Sequence, residues 1–201
     1  MKLRMNWTLV GYFPKRRTTR CNWASLWPNH ADRAFPCSEP VEEICSVSDC
    51  VAPGPDGWRE QGKHNFYDAY DTPRLAWSVV PIETRADFEL YAYRLLLVEF
   101  NDGREEPMKA WPELTVEDMP ASFVRLGWDA VEGGNHCSFG CSPLSCNSGC
   151  HDVEIAEKNQ YCLVNSEQQG IDLARHFSIC KPEPGPYCVV EVWRETCHSN
   201  P

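Results

Sequence analysis

Residues 137–151 read CSFGCSPLSCNSGCH, so four cysteines and a histidine fall in one stretch with almost nothing apolar to pack around them. A related pattern occurs at residues 45–50, CSVSDC. Residues 141–146, CSPLSC, repeat its Cys-Ser-x-x-(Ser/Asp)-Cys spacing. Thiolates spaced this way suit zinc, which takes four ligands in a tetrahedron and can draw two of them from one short loop at little extra ordering cost. The expected ligands are Cys45, Cys50, Cys141 and Cys146, clamping two loops that are far apart in the chain. The neighbouring serines can donate hydrogen bonds to thiolate sulfur.

Other chemistry is open to the same residues. Cys137, Cys150 and His151 could replace two of the four ligands. Four thiolates also suit an iron–sulfur cluster, although the ferredoxin spacings are missing. Twelve cysteines, an even number, fit a disulfide framework in an oxidising compartment. A catalytic thiol is the enzymatic alternative: Cys146 or Cys141 paired with His136 or His151, the imidazole favouring the thiolate. Cys21, Cys37, Cys162, Cys180, Cys188 and Cys197 read as separate from the cluster. Cys162 and Cys188 fall in expected strands as small buried hydrophobes.

A formal net charge of −10 opposes binding to a phosphate backbone. The basic run Lys15, Arg16, Arg17, with Arg20 nearby, reads as a solvated turn after the first strand. No stretch approaches the roughly 18–20 apolar residues of a membrane span. The first residues lack the apolar core of a secretion signal, which leads to the expectation of a cytoplasmic protein, without nucleic acid or membrane partners. There is no P-loop, G-x-G-x-x-G, G-x-S-x-G or H-E-x-x-H motif.

The elements that must carry these residues read as α+β in a single domain over residues 1–201. A strand over 6–13 is rich in β-formers and meets Pro14. Thr72 and Pro73 open a helix that must stop near Pro81. Residues 88–100, FELYAYRLLLVEF, form a largely buried strand closed by the turn NDG, and 122–131 form a weaker one. Residues 160–164 read as a short strand. Ser166 and Gln169 begin a helix with a capping box, and 187–193 make the last strand, with Cys188, Val190 and Val192 facing a core. The sheet is therefore mixed or antiparallel, with two β-α-β units on a ferredoxin-like plan and irregular cysteine-rich insertions at about 14–71 and 132–158.

The segments GWDAVEGGNHCSFGCSPLSCN, NQYCLV and EPGPYCVVEVWR resemble an uncharacterised bacterial protein family that carries a similar CSPLSCN segment and C-terminal strand. LVGYFPKR and CSVSDC extend the resemblance along most of the chain. It implies a bacterial, intracellular origin and no particular activity. The expected function is that of a non-enzymatic, zinc-stabilised protein binding a protein or small-molecule partner; the alternative is a cysteine-dependent enzyme.

Overall fold

The structure is a computed structural model that describes residues 7–17, 19–21, 23–26, 37–39, 55–57, 61–63, 69–108, 119–133, 157–181 and 185–196. Its elements are β1 (Trp7–Arg16), α1 (Trp23–Leu26), α2 (Pro73–Ser78), β2 (Phe88–Asn101), β3 (Arg104–Pro107), β4 (Phe123–Glu132), α3 (Glu167–Cys180) and β5 (Tyr187–Glu195). The strands make one open five-stranded sheet in the order β1-β2-β5-β4, with β3 paired to the far end of β2.

All four named pairings are antiparallel, which realises the α+β expectation with its antiparallel option. The ferredoxin-like plan does not describe them. A β-α-β unit sets its strands parallel, whereas β1 and β2, on either side of α2, are direct antiparallel neighbours, as are β4 and β5 on either side of α3.

The first strand does not end at Pro14. Tyr12 exchanges both backbone hydrogen bonds with Tyr70 on the outer edge of β1, each 2.8 Å long. Backbone groups alternate sides along a strand, so the nitrogen of residue 14 also points outward, and proline's missing N–H removes no bond to β2. The strand therefore runs on to Arg16, opposite Phe88. This also corrects the reading of the basic run as a solvated turn. Lys15 is fully buried with its ammonium 5.7 Å from the Tyr93 ring centre, and Arg16 lies over Phe88.

Cross-strand partners share a face, and β5, at the centre, is buried on both. On one face Tyr187 and Val189 of β5 meet Leu96, Val98 and Phe100 of β2 and Trp128 and Ala130 of β4, all beneath α3. Ile171, Ala174 and Phe177 are the stripe that α3 turns down, as its helical spacing requires. Its start meets half of the capping-box expectation: the Ser166 hydroxyl accepts from the N–H of Gln169, but the Gln169 side chain accepts from the N–H of Asn165. Beyond α3, the buried Glu191 carboxylate is held by Arg94 and Arg125 at 3.0 Å each. The opposite face presents Tyr91, Tyr93 and Leu95 of β2 beside Arg194, Val192 and Val190 of β5.

Thr72 caps α2 by accepting from the N–H of Leu75, with Pro73 at the first helical position. Residues 160–164 are not a strand. Only Val164 pairs, exchanging two 3.0 Å backbone bonds with Trp128 at the outer edge of β4, and Cys162 sits in the left-handed region at φ 61°. Asn159 fixes this loop: its side-chain oxygen accepts from the N–H groups of Tyr161 and Leu163, and its amide nitrogen donates to the Leu126 carbonyl.

Candidate functional site: an arginine-lined pocket

A pocket of about 390 Å³ opens on the face away from α3, where β1 ends, β2 begins and β5 ends. Register builds its floor. Tyr91 lies opposite Arg194 and Glu89 opposite Lys15, so Glu89, Tyr91 and Arg194 all project to this side. Arg17 enters from just past β1, its N–H bonded to the Asp87 carbonyl, and Thr19 and Arg20 continue that wall. The opposite wall is Ser38 and Glu39, brought in by a Cys37–Cys162 disulfide that joins positions 125 residues apart. The Glu39 N–H also donates to the Gln160 carbonyl at 2.9 Å.

The Glu89 carboxylate organises the floor. It accepts from the Tyr91 hydroxyl at 2.7 Å and meets the Arg17 Nε at 3.2 Å. Arg194 lies between two carboxylates, its Nη1 3.6 Å from both Glu39 and Glu89 and its guanidinium 5.4 Å from the Tyr161 ring centre. These are ion pairs beyond hydrogen-bond length. Burial opposes the charge of Arg194. Glu89 first, then Tyr91, Tyr161 and Glu39, outweigh that effect and raise its pKa, so the guanidinium is fixed as a cation. Among the described residues the lining holds three arginines and two glutamates, inside a chain that is strongly acidic.

Burial, followed by the charge of Glu89, holds the Tyr91 proton well above the ordinary tyrosine range. The sign of the linkage follows. A folded pKa above the unfolded value gives stability that is complete below the unfolded pKa of about 10 and is lost as pH rises through it toward the folded value. Denaturation between about pH 9 and about pH 11 should show the wild type losing more stability than Tyr91→Phe; equal losses would contradict the assignment.

Most residues expected to do chemistry, Cys45, Cys50, Cys141 and Cys146 together with Cys137, Cys150, His136 and His151, lie outside the described residues. Among the described residues no group of three or more His, Cys, Asp or Glu side chains is arranged to hold a metal. Cys162 is not the isolated core thiol expected, because its sulfur is bonded to Cys37. Cys188 does fit that expectation: it is fully buried on β5, and burial, with Glu99 second, pushes its thiol far up.

A thiol–imidazole contact that was not anticipated lies on α3, where the Cys180 sulfur is 3.0 Å from His176 Nε2, four residues earlier. Its i,i+4 spacing is legible in RHFSIC, but α3 covers the other face of the sheet, away from the pocket. The pocket residues themselves were not found from sequence. Only the alternation of Lys15 and Arg17 in a strand continuing past Pro14 offered a signal.

Among the described residues no helix is long and apolar enough to cross a membrane. No protein-family model, curated protein or solved structure matches the chain, and the site is therefore read from its own geometry.

Proposed function

We propose that this is a non-enzymatic binding protein whose pocket takes a small oxyanion, carboxylate or phosphate. One observation carries the reading. The Arg194 guanidinium, three-quarters buried in the pocket, stands 3.6 Å from each flanking carboxylate, so its N–H groups are charge-balanced without being used up in hydrogen bonds to them. A guanidinium has five donors in a planar fork that matches two oxygens of a carboxylate or phosphate. Arg17, which also pairs with Glu89, and Arg20 place two further cations on the lining, Ser38 and Thr19 place hydroxyls there, and the volume suits a metabolite-sized ligand.

Calorimetric titration with inorganic phosphate and with succinate separates the two sources of oxyanion. One of them is expected to bind saturably, and Arg194→Ala to weaken it by about tenfold or more, since hydrogen bonds to a charged group contribute roughly 1.5–3 kcal/mol. Arg175→Ala, on the far face, should leave binding unchanged. Saturable binding of neither probe, or full affinity in Arg194→Ala, would overturn the reading.

Zinc held by Cys45, Cys50, Cys141 and Cys146 is a separate proposal. It is supported by the two matched Cys-x4-Cys segments, which supply four thiolates in two closely spaced pairs. Metal analysis should find about one zinc per chain, with a melting midpoint that falls on chelation. Zinc-free protein melting identically with chelator would remove it. The Cys37–Cys162 bond supports an oxidising compartment, against the cytoplasmic expectation, and so favours disulfides among the other cysteines. A thiol count after denaturation and chelation decides between them: zinc leaves these four cysteines as free thiols, and disulfides do not.

A further inference from the structure

We propose that the Cys37–Cys162 disulfide is a redox latch on the pocket, holding the Ser38–Glu39 wall in place when oxidised and releasing it, with loss of anion affinity, when reduced. The proposal rests on the oxyanion reading of the pocket. It follows from an asymmetry between the two ends of the bond. Cys162 belongs to a loop that stays anchored without it: Asn159 ties that loop to Leu126, Tyr161 and Leu163, and Val164 is paired to Trp128. None of these contacts involves sulfur.

The other end has much less. Among the described residues, the ties shown for 37–39 are the disulfide, the Glu39 N–H to the Gln160 carbonyl, and the Glu39–Arg194 pair. That pair is 3.6 Å long and the Glu39 side chain is half exposed, so solvent screens it. Among the described residues, breaking the disulfide leaves this wall on one backbone hydrogen bond and one weak ion pair, while the floor made by Glu89, Tyr91 and Arg194 is untouched. Glu39 then ceases to hold one side of the Arg194 guanidinium. A ligand bound there must reorder Ser38 and Glu39 at its own expense.

Exposure sets the direction of the chemistry. Cys37 is half-buried and Cys162 is 2% exposed. A dithiol reductant attacks the Cys37 sulfur as thiolate. The S–S bond breaks, Cys162 leaves and takes up a proton, and a mixed disulfide forms on Cys37. The second thiol of the reductant attacks its own sulfur in that mixed disulfide, frees Cys37 as a thiol, and closes a cyclic disulfide. Two electrons and two protons pass from the dithiol to the protein.

The test compares oxidised wild type, wild type treated with dithiothreitol, and Cys37→Ala/Cys162→Ala with and without dithiothreitol. Each is titrated with inorganic phosphate and succinate, and each is followed by amide hydrogen exchange without ligand. The latch predicts that the double variant and the reduced wild type bind about tenfold more weakly than the oxidised protein. It predicts that dithiothreitol changes nothing further in the variant, which removes the other cysteines from the comparison. Exchange in segment 37–39 should quicken by about tenfold while 161–164 stays protected. Equal affinity in the oxidised protein and the variant, or unchanged exchange at 37–39, overturns the latch and leaves the pocket reading standing. Failure of the oxidised wild type to bind either probe overturns the pocket reading, and the latch falls with it.

Discussion

Cys37→Ala/Cys162→Ala is expected to lose about 2–5 kcal/mol of folding stability, and its melting midpoint to fall by roughly 5–15 °C. The bond joins positions 125 residues apart, and so closes a long loop of the chain. Without the link the unfolded chain regains the freedom that closing so long a loop removes. A packing role for the two side chains would give a different pattern. Each single replacement breaks the same bond, so Cys37→Ala, Cys162→Ala and the double variant should lose similar amounts. Losses that add would show that the two sulfurs contribute separately, and a double variant as stable as wild type would show that the bond does not stabilise the fold.

Gly127→Ala is expected to cost about 2–5 kcal/mol, as backbone strain and overpacking act together. Gly127 has φ 154°, and a Cβ there would stand 2.6 Å from the Val164 carbonyl oxygen and 2.8 Å from the Leu163 Cβ. The oxygen belongs to the backbone that pairs with Trp128, so it cannot turn aside without giving up that pairing. The damage reaches the pocket, because the same loop carries Tyr161 beside Arg194 and Cys162 in the disulfide. Gly62 supplies the control. Its φ is 60° and an added methyl would meet nothing within 4 Å among the described residues, so Gly62→Ala should cost only about 1–2 kcal/mol of conformational strain. Denaturant unfolding of the two variants measures both. Similar losses would mean that contact with residues 163–164 is not what requires glycine at 127.

Local signals account for what the sequence made legible. Apolar runs marked β2 and β5, the Thr72-Pro73 pair marked the start of α2, and Ser166 with Gln169 marked the start of α3. Each depends on residues within one turn or one strand. β3, with the sequence REEP, has no apolar alternation and is a strand only because the turn after Asn101 folds it back on β2. Residues 160–164 have strand-like composition, yet the Asn159 side chain captures their N–H groups and turns the chain at Cys162.

The pocket was illegible for a stronger reason. Arg17, Glu39, Glu89 and Arg194 are scattered along the chain and form no motif. They meet through the registers of β1 with β2 and β2 with β5, and through one disulfide. Cysteine spacing drew attention to 137–151 because it is local, whereas the charge pattern of the pocket exists only in the folded sheet.

Anion binding at Arg194 is tested most directly by an NMR titration of the arginine side-chain Nε–Hε signals with inorganic phosphate and with succinate. Arg17, Arg20 and Arg194 line the pocket, while Arg125 and Arg175 carry their ion pairs on the face that α3 covers. The first three signals should shift saturably with one of the probes, while those of Arg125 and Arg175 stay still. Shifts centred on Arg125 or Arg175, or no saturable shift at Arg194 with either probe, would contradict it.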